Sequence, residues 1–121
     1  NGSLDVVRFN QFPMLENLDL NSNAFVGSIP SSLTECAALK SINLASNKLS
    51  GEIPSSLTNC SALQSINFES NKLSGEIPSF LYRLRNLTTL SLSNNNLNGS
   101  IRSLDSIEHL VSVNLMMVDR L

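Results

Sequence analysis

Charged side chains are scarce in this sequence: they make up 15% of its 121 residues, against about 25% in an ordinary soluble domain. The formal net charge of −2 gives no basic surface, so we expect no nucleic-acid partner. No apolar run approaches the roughly 20 residues that a membrane-spanning helix needs. No secretory signal opens the chain either, so if the protein is secreted we expect this sequence to be a mature segment of it.

Three residue types dominate instead, because Leu, Ser and Asn supply 58 of the 121 residues. Such a bias is typical of a repeated unit, and an unusual number of positions recur every 24 residues. The most regular are Asn23, Asn47, Asn71 and Asn95; Gly27, Gly51, Gly75 and Gly99; and Ile29, Ile53, Ile77 and Ile101. Three apolar rows recur at the same spacing: Leu15, Leu39, Leu63 and Leu87; Leu18, Ile42, Ile66 and Leu90; and Leu20, Leu44, Phe68 and Leu92.

Each unit contains a short segment in which apolar and polar residues alternate, as in Leu18, Asp19 and Leu20. That period of two predicts one strand per unit with one face buried, and stacked units then form a parallel sheet. We expect the recurring Asn to form a ladder that satisfies backbone groups at the turn after each strand. The Gly-x-Ile-Pro segment predicts a second, shorter strand. The polar stretch that begins at Ser55 predicts at most a turn of 3-10 helix on the convex side.

The fingerprint that starts at Asn47 and again at Asn71, Asn-Lys-Leu-Ser-Gly-Glu-Ile-Pro, resembles the plant-specific class of leucine-rich repeats over roughly residues 12–115. The resemblance implies an α/β solenoid with a parallel sheet on its concave face and little or no α-helix. It also implies an extracellular or cell-surface protein, since such repeats are typical of plant receptor kinases, receptor-like proteins and secreted inhibitors of polygalacturonases. Residues 4–12 are similar to inner coils of peptide-hormone receptors of the phytosulfokine-receptor type.

Both ends of the chain depart from the family pattern. The first four residues match Asn98, Gly99, Ser100 and Ile101, so the chain begins in mid-repeat, and the fourth repeat is one residue short. We therefore predict one domain, residues 1–121, of about four to five repeats that belongs to a longer ectodomain. Its uncapped apolar ends favour aggregation or end-to-end self-association; the alternative is that Phe9, Phe12 and residues 116–121 fold back as caps.

Side chains that alternate with the buried rows are expected to line the concave face, the surface that repeat proteins use for binding. Its three columns are Asn17, Ser41, Ser65, Thr89 and Ser112; Asp19, Asn43, Asn67, Ser91 and Asn114; and Asn21, Ala45, Glu69, Ser93 and Met116. Our predicted ligand-binding residues are Asp19, Asn21, Asn43, Asn67, Glu69, Ser91, Ser93 and Asn114. The columns lack aromatic and Arg anchors, so they suit an extended peptide or a carbohydrate bound by many hydrogen bonds; solvated strand positions without a ligand are the alternative.

Four sequons of the form Asn-x-Ser/Thr lie outside these columns, at Asn1, Asn59, Asn86 and Asn98. In a secreted protein they predict N-linked glycans, with Asn59 and Asn86 the first choices. Chance occurrence in a chain so rich in Asn and Ser is the alternative.

Catalytic and metal-binding signals are weak. Cys36 and Cys60 occupy the same slot one repeat apart; a disulfide between neighbouring coils is within reach, but we predict that both thiols are reduced and buried in the core. His109, the only histidine, has no nucleophile motif beside it, and two Cys with a distant His are too few for a metal site. Repetition of the unit explains why identical charges recur one repeat apart, at Lys48 and Lys72 and at Glu52 and Glu76. We expect no enzyme, no cofactor and no metal.

Three functions remain open from the sequence. The first is a plant receptor ectodomain that binds a secreted peptide or protein ligand, with a co-receptor as a further partner. The second is a secreted inhibitor of a pathogen's cell-wall-degrading enzyme. The third is a structural or self-associating repeat module without a soluble ligand.

Overall fold

The computed structural model describes residues 2–77, 81, 83–98 and the backbone of 112–114. Eight strands lie in this part of the chain: β1 Asn17–Asp19, β2 Ser41–Asn43, β3 Ser50–Gly51, β4 Ser65–Asn67, β5 Lys72–Glu76, β6 Thr89–Ser91, β7 Asn96–Asn98 and β8 Ser112–Asn114. Four 3-10 helices accompany them: η1 Leu4–Val6, η2 Phe9–Gln11, η3 Ser31–Glu35 and η4 Ser55–Asn59. In the described ranges there is no α-helix, nor any helix with the length and apolar character needed to cross a membrane.

The first sheet contains one strand from every coil. Its five parallel strands have the order β1-β2-β4-β6-β8, and Leu18 pairs with Ile42, which in turn pairs with Ile66. Neighbours are therefore offset by one full repeat. Between β6 and β8 the offset is one residue smaller, because Thr89 pairs with Ser112. The residue that the fourth repeat lacks is therefore missing from outside the strands. The predicted solenoid with a parallel sheet is confirmed.

The apolar rows of this sheet form the core as predicted, with one correction. Ile42, Leu44, Ile66, Phe68, Leu90 and Leu92 are at most 2% exposed. Leu18 and Leu20, which were also expected to be buried, are only partly buried. Among the described strands β1 pairs with β2 alone, so Leu18 and Leu20 have a neighbouring strand on one side only.

The convex side is built from 3-10 turns whose apolar residues recur every third position. The N–H of Cys36 bonds to the carbonyl of Leu33 at 3.1 Å, and that of Leu39 to Cys36 at 3.1 Å. A 3-10 helix has 3.0 residues per turn, so these residues share the face toward the core; all three are fully buried. Leu57, Cys60 and Leu63 repeat the arrangement one coil later. The predicted 3-10 turn after Pro54 is confirmed and contains five residues.

The asparagine ladder is confirmed and extends between coils. The side-chain nitrogen of Asn71 donates to the carbonyls of Phe68 (3.1 Å) and Glu69 (3.2 Å) in its own turn and of Leu44 (2.9 Å) in the preceding coil. Its oxygen accepts the N–H of Leu49 at 3.0 Å. Asn47 and Asn95 make the equivalent bonds and, like Asn71, are buried. Each side-chain amide thus satisfies backbone groups of its own turn and links that turn to the neighbouring coil.

The second sheet has the order β3-β5-β7, and its register differs from that of the first. Ser50 pairs with Lys72, and Ser74 pairs with Asn96, an offset of 22 residues (72 − 50 and 96 − 74) in place of 24. The bond from Leu49 to the oxygen of Asn71 spans the same 22 residues, so the ladder holds the chain in this slipped register. A slip of two residues keeps every side chain on its own face.

The position of the second strand corrects the sequence prediction. It lies before the Ile-Pro pair, because β5 spans Lys72–Glu76, although the N–H of Ile77 still bonds to the carbonyl of Asn98 at 3.0 Å. Pro54 stands at the start of η4 with φ of −70°. Proline lacks a donor for the sheet ladder, and here it begins the 3-10 turn.

Candidate ligand-binding face

The first two concave columns lie in the strands of the first sheet, as predicted, whereas the third lies two residues beyond their ends, and not all of the described side chains are exposed. Asn17 and Asp19 are exposed, and most of the others, including Asn43, Asn67 and Ser91, are partly exposed. Ala45 (6%) and Ser93 (8%) are buried, which corrects the expectation that all three columns face solvent. Both lie in the third column, where the chain already turns out of the sheet. The side chains of Ser112 and Asn114, and the whole of Met116, are outside the described residues.

In the middle column, one side-chain oxygen in each of the first three coils accepts a backbone hydrogen bond. The oxygens of Asn43 and Asn67 each accept the N–H two residues later, from Ala45 and Glu69, both at 3.1 Å. Asp19 accepts the N–H of Asn21 at 3.1 Å and also bonds to the Asn21 side-chain amide. These are Asx turns, and each is followed by a residue with a positive φ of 58°, Ser22, Ser46 or Ser70.

The same hydrogen bonds leave the side-chain amide nitrogens of two asparagines free above the sheet. The side-chain nitrogens of Asn43 and Asn67 have no hydrogen-bond partner among the described residues. The two residues pair directly in the β2–β4 register, so their amides repeat at the strand spacing of about 4.8 Å. Together they form a row of donors.

Glu69 is the carboxylate of the third column, two residues after the end of β4. It is half-buried, and its Oε2 accepts the hydroxyls of Ser91 (2.8 Å) and Ser93 (3.4 Å) from the following coil. The small Ala45 stands at the equivalent position of the preceding coil. The other charges beside these columns are Glu16 and Lys40, which pair at 3.1 Å with half-exposed side chains. The described part of the face therefore carries excess negative charge from Asp19 and Glu69.

The predicted glycan acceptors lie away from the concave sheet. Asn59 is exposed at the last position of η4, and Asn98 is exposed in β7. Asn86 is exposed, but its side-chain nitrogen donates to the carbonyl of Ser61 at 3.0 Å. Asn1 lies outside the described residues. Occupancy of these sequons stays a prediction.

Cys36 and Cys60 are free and fully buried. The thiol of Cys36 donates to the carbonyl of Phe9 (3.4 Å), and that of Cys60 lies 3.8 Å from the carbonyl of Leu33. Burial, with a smaller effect of Glu35, raises the pKa of Cys36; burial, with a smaller effect of Cys36, raises the pKa of Cys60 to about 11. Both thiols therefore stay protonated at neutral pH and are poor nucleophiles. His109 lies outside the described residues, and no three His, Cys, Asp or Glu side chains in the described ranges are grouped to hold a metal ion.

One groove was not anticipated from the sequence. It has a volume of about 560 Å³ and lies between the N-terminal segment that contains η1 and the start of η3. Arg8, Asp5 and Glu35 line it together with the exposed Val6. These residues are far apart in the sequence and show no shared motif, so only the packing of the first two coils could reveal it.

Sequence and structure comparisons agree on the family. The leucine rich repeat model matches residues 13–73 and 37–97, and a second leucine rich repeat model matches residues 86–110. The chain belongs to the leucine-rich-repeat family. A search of curated protein sequences finds no significant match.

Three solved structures illustrate the relationship. The ectodomain of the receptor kinase SOBIR1 from Arabidopsis thaliana is 33% identical with a TM-score of 0.81, and the match covers 89% of this chain and 59% of that one. The ectodomain of the Arabidopsis receptor kinase HAESA, solved with an IDA peptide hormone ligand, is 37% identical with a TM-score of 0.84, covering 91% and 19%. A plant ice-binding protein is 28% identical with a TM-score of 0.91, covering 98% and 38%. The chain thus spans less than two thirds of each of these proteins.

Proposed function

We propose that this chain is a ligand-recognition segment of a plant cell-surface receptor and that it binds a secreted peptide in extended form on its concave sheet. Recognition, not catalysis, is the activity that we assign, with extracellular location and a co-receptor as a further protein partner. The row of unpartnered amides on Asn43 and Asn67 carries the proposal. An extended peptide has acceptors along its main chain, and repeated donors can hold it without a hydrophobic anchor.

The likeness to receptor-kinase ectodomains supports this proposal, and HAESA is one that was solved with a peptide hormone. The narrower similarity to phytosulfokine receptors stays a prediction. So does the alternative of a secreted polygalacturonase inhibitor, which none of the comparisons tests.

A matched pair of Ser→Lys variants tests the face. The chain is first used to select binders from a library of capped, synthetic octapeptides, and the affinity of a selected peptide is measured by calorimetry. Ser65→Lys places a long cation at the centre of the concave sheet and is expected to weaken binding by at least tenfold. Ser74→Lys alters an exposed position on β5 and is expected to leave the affinity within twofold. Failure to select any peptide, or equal losses in the two variants, would contradict the proposal.

Ice binding is a second candidate, favoured by a specific likeness: the plant ice-binding protein aligns over 98% of this chain. The described first column, Asn17, Ser41, Ser65 and Thr89, contains only hydroxyl and amide groups stacked in register. If this face binds ice, the chain will inhibit ice recrystallisation and Ser65→Lys will reduce the effect, whereas Ser74→Lys will not. No inhibition by the unmodified chain removes this candidate.

End-to-end self-association stays a prediction. Phe12 (55% exposed) and Met14 (79%) leave apolar surface at the first coil, while Phe9 is buried. Residues 116–121 at the other end lie outside the described part of the chain.

A further inference from the structure

We infer that the carboxylate of Glu69 forms a subsite for a cationic side chain, so that the ligand of the concave face is a basic peptide. This inference rests on the proposed function and adds the chemical class of the ligand. Three observations support it: the orientation of the Glu69 carboxylate, the lack of a described cation beside it, and the free side-chain amides of the neighbouring asparagines.

The carboxylate of Glu69 is held in place from one side only. Ser91 and Ser93 of the following coil both donate to Oε2, and Ser93 is itself buried. None of the described residues donates to Oε1. An oriented carboxylate with one free oxygen is a ready acceptor for a charge-assisted hydrogen bond.

The preceding coil offers no side-chain donor to Glu69 at the equivalent position. The two coils are adjacent there, because the N–H of Ser46 bonds to the carbonyl of Glu69 at 3.0 Å. Ala45, the residue before Ser46, projects only a methyl group. Asn21 occupies the same position one coil earlier, and its amide is engaged with Asp19.

Within the described ranges no cation is paired with Glu69. Lys40 forms its ion pair with Glu16, and Lys48 and Lys72 belong to the second sheet and its approach, with exposed side chains. Asp19, the other carboxylate of the face, likewise accepts two hydrogen bonds on one oxygen, but it is exposed whereas Glu69 is half-buried. Because water screens a half-buried charge less than an exposed one, Glu69 is the carboxylate of the face that would bind a cation more strongly.

Donors and acceptor lie on neighbouring positions. Asn67 is two residues before Glu69 and uses its oxygen on the Glu69 N–H, which leaves its amide nitrogen for a ligand. A peptide whose main-chain carbonyls meet Asn43 and Asn67 would run across the strands and pass Glu69. A Lys or Arg side chain at the matching position could then reach Oε1.

The test repeats the peptide selection with matched variants of the chain. The unmodified chain is expected to enrich Lys or Arg at one position of the octapeptides. Glu69→Gln keeps the shape and the serine contacts but loses the charge, and we expect the preference to disappear and the selected basic peptide to bind about fivefold to tenfold more weakly. A peptide with Gln in place of its basic residue should bind the two proteins equally. Asp19→Asn is the control, and it should keep the basic preference.

The outcomes separate this inference from the proposed function. Selected peptides without a basic position, or a basic preference that survives in Glu69→Gln, overturn the cationic subsite while the peptide-binding face stands. A chain that selects no peptide overturns both. Thermal unfolding shows whether Glu69→Gln is folded; if it is not, Glu69→Ala removes the same charge and copies the residue that the preceding coil has at this position, Ala45. That variant should also abolish the preference, and retention of the preference would contradict the inference.

Discussion

The two sheets are built from the same repeat, yet neighbouring coils meet in them differently. In the first sheet Ile42 pairs with Ile66, so equivalent residues lie directly opposite each other, about 4.8 Å apart. In the second sheet Ser50 pairs with Lys72. A slip of two residues moves equivalent residues about 6.6 Å along the strand and hence about 8 Å from each other. Repeated like charges therefore lie farther apart in the second sheet and repel each other less there.

The distribution of charge follows this difference. Like charges directly opposite each other destabilise a sheet, and the described first and middle columns of the first sheet contain one charged residue, Asp19. The second strand and its approach contain Lys48, Lys72, Glu52 and Glu76 as exact copies of the repeat. The comparison teaches that copied side chains lie directly opposite each other only in the sheet whose register equals the repeat length. The predictions below test the difference, from the largest expected effect to the smallest.

The largest effect is expected in the core of the in-register sheet. Ile66 is 2% exposed and lies between two neighbouring strands, whereas Leu18 is only partly buried. Ile66→Ala should lower the free energy of unfolding by about 2–5 kcal/mol through lost burial and a cavity. Leu18→Ala should lower it by about 1–2 kcal/mol, because less surface is buried. Urea denaturation measures both, and equal losses would mean that the first coil is as well covered as the third.

The second largest effect is expected in the asparagine ladder. Asn71→Ala removes a buried amide and leaves the buried N–H of Leu49 without its acceptor. The carbonyls of Leu44 and Phe68 each lose one of two amide donors and keep the bond from Asn47 or Asn95, so we expect a cost of about 2–4 kcal/mol. Asn23→Ala is the control, since Asn23 is exposed and water can replace its bonds; we expect less than about 1 kcal/mol. The same urea experiment applies. A cost for Asn71→Ala as small as the control would show that the ladder does not hold the turns.

Replacing glycines of the second sheet by alanine is expected to have a smaller effect. Gly51 and Gly75 have φ of 82° and 86°, so alanine is strained at either position, by about 1–2 kcal/mol. At Gly75 an added Cβ would also come within 2.8 Å of the Cγ of Glu52, while at Gly51 the nearest atom is at 3.6 Å. Gly75→Ala should therefore cost roughly 0.5–1.5 kcal/mol more than Gly51→Ala, because Glu52 must change rotamer. The excess should vanish in a Glu52→Ser background, as thermal unfolding can show.

The smallest effect compares charges across the two registers. Ser41→Lys and Ser65→Lys together place cations directly opposite each other in the first sheet, and a double-mutant cycle should give an unfavourable coupling of about 0.2–1 kcal/mol. The cycle of Lys48→Gln and Lys72→Gln in the slipped region should give less than about 0.3 kcal/mol at physiological salt, because the separation equals the screening length. Couplings of equal size would argue against the difference in register.

Much of this arrangement could be predicted from residue spacing alone. The alternation around Ile42 and Leu44 specifies a half-buried strand, and the recurrence of Asn47 and Asn71 specifies a ladder, because each depends only on where residues fall along the chain. The second strand was expected too late, at Gly-x-Ile-Pro, because β-propensity does not show where pairing stops. The exposed third column was wrong at Ala45 and Ser93 for a related reason, since burial depends on how sharply the chain turns away from the sheet.

The sequence by itself determined the period, the strand faces, the ladder and the family, since all of these are properties of order along one chain. Only the tertiary structure decided how neighbouring coils meet. The offset of 22 in the second sheet arises where the Asn71 oxygen binds the N–H of Leu49, and the orientation of Glu69 arises where Ser91 and Ser93 reach back from the next coil. Contacts between coils depend on the path through the turn in three dimensions, and a repeat length of 24 residues does not contain that path.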